Sequence, residues 1–221
     1  MSAIILDGSM VHYEALGRGR PIIFLHGWVG SWRYWINAMQ AASTSFRAYA
    51  IDLFGFGDTV RSENNYTIEK QALLLERFLT EMGIGKVALV GHDLGALVAF
   101  EYLKKHYESV DRMMAIGAPL QYEALATRMR TAPTTELAEW LSARQPDALT
   151  ALSDASKADP VAVTTSMSSL QIDGIFPNVR NFGVPCLFVY GASDLAFTTV
   201  PSQETNTLPI HMHQINLDNS G

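Results

Sequence analysis

The pattern of apolar and polar residues along the chain predicts a series of short strands. Residues 3–6 and 10–15 flank the turn-forming residues Asp7-Gly8-Ser9, as the two strands of a hairpin do. Residues 21–25 form a short apolar run that is typical of a buried strand. Further strands are predicted over residues 47–53, 86–90, 112–116, 185–190 and 210–217.

Helices are predicted between these strands. Residues 67–82 place apolar side chains near helical spacing, and Gly83 follows as a stop signal. Helices are also predicted over residues 32–42 and 96–106. Strands that alternate with helices fold into a mostly parallel sheet with helices on both faces, so the predicted fold class is α/β.

One segment, residues 121–182, interrupts this alternation, because it is helical in composition and prolines divide it into short pieces. Ligands bind at the carboxyl ends of the strands in open α/β sheets, so we interpret the segment as a helical lid over those ends. Ordinary helices that cover the sheet are the alternative. The expected organisation is a core domain in two parts, residues 1–120 and 183–221, with the lid between them.

Composition narrows the classes of function. The 221 residues are 48% hydrophobic and 17% charged, which allows a sizeable core. The net charge of −6 argues against nucleic acid or an anionic membrane as the main partner. No apolar stretch approaches membrane-spanning length, and the N-terminus lacks the basic start of a signal peptide, so a cytoplasmic location is expected.

The cysteine content bears on metals and cofactors. Cys186 is the one cysteine, which excludes an internal disulfide and a cysteine-built metal site. It lies in an apolar run and is expected to be a buried structural thiol. No metal ion and no other cofactor is predicted.

The segment V-G-H-D-L-G-A, residues 90–96, carries the main candidate chemistry. A strand, a glycine on each side of a central residue and then a helix is the pattern of a nucleophile elbow. We expect Asp93 to project above the sheet, and Gly91 and Gly95 to avoid clashes with the neighbouring strand and helix. The alternative is that Asp93 only caps the following helix.

Two further motifs supply the other parts of such a site. L-H-G-W, residues 25–28, follows an earlier strand, and the backbone N–H groups of Trp28 and Leu94 are predicted to form an oxyanion hole. Y-G-A-S-D, residues 190–194, places Asp194 after a late strand, where an acid that orients a histidine belongs. The alternatives are a glycine turn with a core tryptophan and a turn-forming aspartate.

Together these residues resemble the α/β-hydrolase superfamily over nearly the whole chain. The resemblance is carried by F-L-H-G-W-V-G-S (24–31), D-L-F-G-F-G-D (52–58), V-G-H-D-L-G-A (90–96) and V-Y-G-A-S-D (189–194). An aspartate in the elbow is most similar to the epoxide hydrolase and haloalkane dehalogenase branch. The chain departs from that branch at Leu94, where the dehalogenases commonly place tryptophan or arginine. It also has few tyrosines in the lid, where Tyr122 is the main candidate to protonate an epoxide oxygen.

The resemblance implies a particular chemistry. A carboxylate with an ordinary pKa is ionised at pH 7 and displaces a leaving group at a saturated carbon, which gives an alkyl-enzyme ester. Water then hydrolyses this ester with the help of a general base, normally histidine. The expected substrate is a small apolar organic molecule, an epoxide or a haloalkane. Candidates to line its pocket are Trp28, Trp32, Trp35, Phe54, Leu137, Trp140 and Leu141.

None of the six histidines has the place expected of that base. They are His12, His26, His92, His106, His211 and His213. His92 adjoins Asp93 but is expected to point away from it. In the superfamily the base follows the last strand, and the sequence stops at about that point. We therefore expect that the histidine loop and the last helix belong to a longer protein, of which this chain is a fragment; a natural end is the alternative.

Other classes of function stay open at this point. Asp93 is not the nucleophile if the chain is an ester or carbon–carbon bond hydrolase-like relative. A non-catalytic ligand-binding protein on the same fold is a further alternative. A dinucleotide-binding oxidoreductase is disfavoured, because no G-x-G-x-x-G follows the first strand. The oligomeric state is unknown.

Overall fold

Among the residues that the structure describes, eight strands form one sheet. A computed structural model describes residues 2–142, 148–173, 181, 183–198, 208–218 and 220. Every strand overlaps one that the apolar pattern predicts. The strands are β1 (Ser2–Leu6), β2 (Ser9–Gly17), β3 (Arg20–Leu25), β4 (Phe46–Ile51), β5 (Val87–His92), β6 (Val110–Ile116), β7 (Cys186–Gly191) and β8 (Met212–Leu217).

The sheet is mostly parallel, as predicted, with an antiparallel edge. β1 and β2 form a hairpin around Asp7 and Gly8, whose φ angles of 48° and 81° are those of a tight two-residue turn. β2 then pairs antiparallel with β4. The pairs β3–β4, β3–β5, β5–β6, β6–β7 and β7–β8 are all parallel, so their carboxyl ends meet at one edge.

Seven α-helices occur among the described residues, and several short 3-10 turns accompany them. The helices are α1 (Ile36–Ala42), α2 (Ile68–Glu81), α3 (Leu94–His106), α4 (Thr127–Thr131), α5 (Thr134–Ser142), α6 (Ala148–Ala155) and α7 (Pro160–Asp173). The 3-10 turns are Trp32–Trp35, Glu63–Asn65, Tyr107–Ser109 and Tyr122–Ala124. None of the helices in the described part of the chain is long and apolar enough to cross a bilayer.

Helices cover both faces of the sheet because successive strand residues point in opposite directions. On β3, Ile23 and Leu25 belong to the larger core, which also contains the buried faces of α2 and α3. Phe24, between them, belongs to a smaller core on the opposite face, where Met39 of α1 is buried. This arrangement confirms the predicted α/β fold.

The helices α4 to α7 lie between β6 and β7 in the chain and pack on loops that follow β3 and β4. The indole Nε1–H of Trp28 donates to Ser166 Oγ at 2.9 Å, and Ser31 Oγ donates to Asp154 at 2.7 Å. The N–H of Asp159 donates to the Gly55 carbonyl at 2.7 Å. The interpretation of residues 121–182 as a lid stays a prediction, and residues 174–180 and 182 lie outside the described part of the chain.

Candidate active site

Asp93 connects β5 to α3 through a sharp backbone turn. Its φ of 47° and ψ of −114° are unusual for any residue other than glycine, and such conformations cost about 1–3 kcal/mol. The Asp93 N–H donates to the Ile116 carbonyl at 3.0 Å, which ties the turn to β6. The carboxylate forms no capping hydrogen bond with α3, contrary to the alternative that it serves only as a cap. Because Asp93 leads directly into the helix, α3 begins at Leu94 rather than at residue 96.

The glycines on either side of Asp93 are required by close backbone contacts. A Cβ on Gly91 would lie 2.5 Å from the backbone nitrogen of Ala96. A Cβ on Gly95 would overlap the carbonyl oxygen of Leu25 in β3. The clashes predicted from the sequence, with the helix and with the neighbouring strand, are therefore the ones in the structure.

Two other glycines bring backbone against the Asp93 carboxylate. A Cβ on Gly27 would lie 2.9 Å from Asp93 Oδ2, and a Cβ on Gly117 would lie 3.1 Å from Oδ1. Gly117 also has a φ of 55°, a conformation that favours glycine. At Gly27 and Gly117, therefore, it is backbone rather than a side chain that borders the carboxylate.

Burial changes the acidity of Asp93. Only 7% of the residue is exposed. Burial raises the pKa of Asp93 from 3.8 to about 6, while the neighbouring His92 lowers the pKa and Asp194 raises it. At pH 7 the carboxylate is therefore mostly ionised, but it has lost most of its water.

Asp194 lies in the loop after β7 and faces the same glycine as Asp93. Its Oδ1 accepts a hydrogen bond from the Ala196 N–H at 2.9 Å, which is the turn-forming role considered above. Its Oδ2 lies 3.6 Å from the point that a Cβ on Gly117 would occupy. The structure therefore brings Asp93 and Asp194 together around Gly117, and one oxygen of Asp194 remains directed at this site.

The predicted oxyanion-hole residues flank the elbow. Trp28 and Leu94 are 1% and 0% exposed, and both side chains belong to the larger core. Trp28 follows Gly27, which borders the carboxylate, and Leu94 follows Asp93 directly. Each of the two residues therefore directly follows a residue that borders or carries the carboxylate. Their role as oxyanion donors stays a prediction.

The candidate pocket residues have packing roles of their own. Trp32 and Trp35 pack in the smaller core, and Phe54 is buried in the larger one. Trp140 is partly buried against the larger core, with the Arg128 guanidinium 5.0 Å from its ring centre. Leu137 and Leu141 of the same helix also contact the larger core. A role in lining a substrate pocket stays a prediction for each of them.

The expectation that His92 points away from Asp93 is wrong. Its Nε2 lies 3.8 Å from Asp93 Oδ2. The other ring nitrogen, Nδ1, lies 3.3 Å from the hydroxyl oxygen of Tyr34. That same oxygen accepts a hydrogen bond from the Gly27 N–H.

Tyr34 is a site residue that the sequence analysis missed. Its ring crosses Gly30, where any Cβ would overlap the ring carbons. A glycine four residues before an aromatic residue in a turn was the available signal, because it leaves room for the ring to fold back toward the elbow.

Comparison with known proteins places this geometry in a family. A family model described as the α/β hydrolase fold matches residues 20–159. The chain belongs to the α/β hydrolase fold family. Among curated relatives of this hydrolase-fold chain, the soluble epoxide hydrolase of Corynebacterium sp. (strain C12) is 31% identical over 112 residues, which are 51% of this chain and 39% of that protein. Epoxide hydrolase 2 of Siraitia grosvenorii is 36% identical over 104 residues, 46% of this chain and 33% of that protein.

The matched part of the hydrolase-fold chain thus spans 39% and 33% of the length of these two relatives. Solved structures match over more of the chain. The enol-lactonase from Burkholderia xenovorans LB400 has a TM-score of 0.83 at 18% identity and covers 99% of this chain and 92% of its own. A thermophilic esterase from Thermogutta terrifontis has a TM-score of 0.81 at 19% identity and covers 100% of this chain and 90% of its own. At these identities the likeness shows the fold alone.

A second cluster of polar groups lies in the hydrolase-fold core near β2 and β4. His12, Asp52 and Asp58 place possible metal-ligand atoms within 4.8 Å of one another. Their charges are already paired, because Asp52 lies 2.8 Å from His12 and Asp58 lies 2.6 Å from Lys157 and 3.4 Å from Arg33. The hydrogen bond to Asp52 raises the pKa of His12. We interpret the cluster as an ion-pair network that ties the loop after β4 to the segment between α6 and α7.

Proposed function

We propose that the chain is a hydrolase that attacks epoxides or haloalkanes through Asp93. The observation that carries the proposal is the Asp93 carboxylate itself, which is held on a strained turn and makes no capping bond. The loops that contain Gly27 and Gly117 border its two oxygens. The similarity to two proteins named as epoxide hydrolases supports the epoxide over other small apolar organic substrates.

The proposed reaction has two steps. An oxygen of Asp93 forms a bond to one epoxide carbon while the C–O bond of that carbon breaks. The ring oxygen stays bonded to the other carbon as an alkoxide and takes a proton from an acid, for which Tyr122 is the candidate; with a haloalkane, the halide ion leaves instead. Water then attacks the ester at the Asp93 carbonyl carbon, and the backbone N–H groups of Trp28 and Leu94 stabilise the oxyanion. A general base takes a proton from that water, and Asp194 is proposed to orient this base.

The proposal also covers the lid, the pocket and the location of the protein. Residues 121–182 would form the lid, which the hydrogen bond from the Trp28 indole to Ser166 would link to the loop after β3. Trp32, Trp35, Phe54 and Trp140 would line the pocket. A cytoplasmic location remains part of the proposal as well.

The proposal is tested by intact-mass spectrometry after incubation of the chain with styrene oxide. We expect an adduct of one epoxide mass, located by peptide mapping on the peptide that contains Asp93, and no adduct in Asp93→Ala. Asp111→Ala, a change at a surface residue of β6, is the matched control and should label normally. Labelling confined to Cys186, or a folded chain that neither becomes labelled nor converts the epoxide to its diol, would remove Asp93 from its proposed role and favour a non-catalytic ligand-binding protein.

A second candidate is ester or carbon–carbon bond hydrolysis in which Asp93 does not act as the nucleophile. A carboxyl group with a pKa of about 6 is able to act as an acid as well as an attacking group. One relative, 29% identical over 118 residues, is named as a 2-hydroxy-6-oxo-6-(2'-aminophenyl)hexa-2,4-dienoic acid hydrolase from Metapseudomonas resinovorans. Retained cleavage of p-nitrophenyl acetate in Asp93→Asn would favour this candidate.

A further inference from the structure

A chain of polar groups runs from the Gly27 amide to the Asp93 carboxylate. The Tyr34 oxygen accepts a hydrogen bond from the Gly27 N–H, which leaves the phenolic proton free to be donated. His92 Nδ1 lies 3.3 Å from this oxygen, and His92 Nε2 lies 3.8 Å from Asp93 Oδ2. The imidazole therefore stands between a hydrogen-bond donor and a carboxylate.

These two neighbours select the same form of the imidazole ring. A neutral imidazole carries its hydrogen on one nitrogen and a lone pair on the other. If Tyr34 donates to Nδ1, the hydrogen must be on Nε2, which faces Asp93. A carboxylate also favours an N–H rather than a lone pair opposite it. Both neighbours of the ring therefore favour the form with its hydrogen on Nε2.

We propose that Tyr34 is a positioning residue that acts through His92 and holds the Nε2–H group toward Asp93, so that the carboxylate stays ionised and oriented for attack. This inference rests on the proposed function, in which Asp93 is the attacking group. Tyr34 itself is not assigned a contact with the substrate.

The ionisable groups around Asp93 affect how readily its carboxylate takes up a proton. Within the described part of the chain, three ionisable side chains interact with it: His92 from the end of β5, Tyr34 from the 3-10 turn after β3, and Asp194 from the loop after β7. Burial and Asp194 raise the pKa of Asp93, and His92 lowers it. Of these neighbours, His92 is thus the one that opposes protonation of the carboxylate, and Tyr34 is the group in contact with its far nitrogen.

The packing of Tyr34 indicates that its hydroxyl matters more than its ring. The residue is 42% exposed, so it contributes little to the core. Its ring meets that of His92 edge-on, with centroids 5.8 Å apart, and lies 4.9 Å from that of Trp35. Phenylalanine would keep both ring contacts and remove only the hydroxyl, and with it the contacts of this oxygen with the Gly27 N–H and with His92. The state of the His92 ring therefore has to be measured beside the Asp93 midpoint.

The first measurement is an NMR titration that does not depend on any reaction. The carboxyl carbon of Asp93 is followed against pH in the 13C-labelled chain and assigned by its loss in Asp93→Asn. We expect the titration midpoint to rise by roughly 0.5 to 1 in Tyr34→Phe, and by at least as much in His92→Gln. Tyr107→Phe makes the same change at the far end of α3, roughly 20 Å away, and should leave the midpoint unchanged.

The 15N spectrum of His92 provides a second readout. We expect the Nε2–H form in the original chain and a mixture of the two forms in Tyr34→Phe. An Nδ1–H form in the original chain, or an unchanged Asp93 midpoint in Tyr34→Phe, would overturn the inference.

The rate of styrene oxide labelling separates this inference from the proposed function. With a midpoint near 6 that rises by 0.5 to 1, labelling of Tyr34→Phe at pH 5 should fall roughly three- to tenfold, with little change at pH 8. If the original chain is neither labelled nor able to form the diol, the proposed function fails while the titration still decides the role of Tyr34. If labelling occurs and neither its pH profile nor the midpoint moves, the proposed function stands and the role of Tyr34 is refuted.

Discussion

Replacing Asp93 with asparagine should stabilise the folded chain at neutral pH. The carboxylate is 7% exposed, and burial raises its pKa from 3.8 to about 6. Folding therefore works against ionisation of this group. Asparagine has nearly the same shape, tolerates positive φ better than most residues and carries no charge.

The size of the effect follows from the difference between the two pKa values. One unit of pKa corresponds to 1.36 kcal/mol, so a rise from 3.8 to about 6 costs about 3 kcal/mol of stability when the group is ionised. Well below pH 3.8 the group is protonated in both states and there is no cost. Between pH 4 and 6 the unfolded chain loses the proton first, so stability falls as pH rises, and above pH 6 the cost is constant.

Thermal unfolding at a series of pH values measures this effect. The melting temperature of Asp93→Asn relative to the original chain should increase between pH 4 and pH 6 and then level off. For a chain of this length, about 3 kcal/mol corresponds to roughly 6–12 °C. The dependence on pH, rather than the difference at any one pH, carries the test, because a buried amide brings hydrogen-bonding costs of its own.

Asp7→Asn is the matched control, because Asp7 is the other non-glycine residue with positive φ among the described residues and is exposed. Its melting temperature should show no comparable change with pH. A difference between Asp93→Asn and the original chain that is the same at pH 4 and pH 8 would refute the reasoning.

Two further predictions concern close packing in the core. Gly95→Ala should unfold the chain or destabilise it by several kcal/mol in denaturant titration, because the new methyl group meets the Leu25 backbone, whereas Gly85→Ala adds a methyl group in open space and should be tolerated. Cys186 should not react with a thiol reagent at pH 8 until the chain is unfolded, because the side chain is buried and burial raises its pKa to about 12; fast labelling of the folded chain would contradict this.

The strands could be predicted from the sequence because their apolar runs are short and are bounded by turn residues. Leu25 is the last residue of one such strand, and Gly91 lies near the end of another. In both cases the neighbouring residues in the sequence are enough to predict where the strand ends. The pairing of β2 with β4 was not predicted, because strand order depends on contacts between distant segments.

Parts of the candidate site were also predictable, for a related reason. The elbow at Asp93 follows from two glycines whose role is fixed by backbone clashes within the motif. The positions of Tyr34 and His92 depend instead on how the Tyr34 ring fills the space above Gly30; the glycine indicates that there is room for a ring but not what the ring contacts. The direction of a side chain near a crowded turn is decided by its neighbours in space rather than by its neighbours in sequence.

The hydrogen bonds between the α4–α7 segment and the core have a consequence for the order of folding. Trp28 and Ser166 are 138 residues apart in the chain, and Ser31 and Asp154 are 123 apart. The entropy of closing such long loops is recovered only once the loops after β3 are in place. We therefore expect the sheet from β1 to β6 to assemble first and the helical segment to dock on it in a later step. We also expect these long-range contacts to open before the strands beneath them separate.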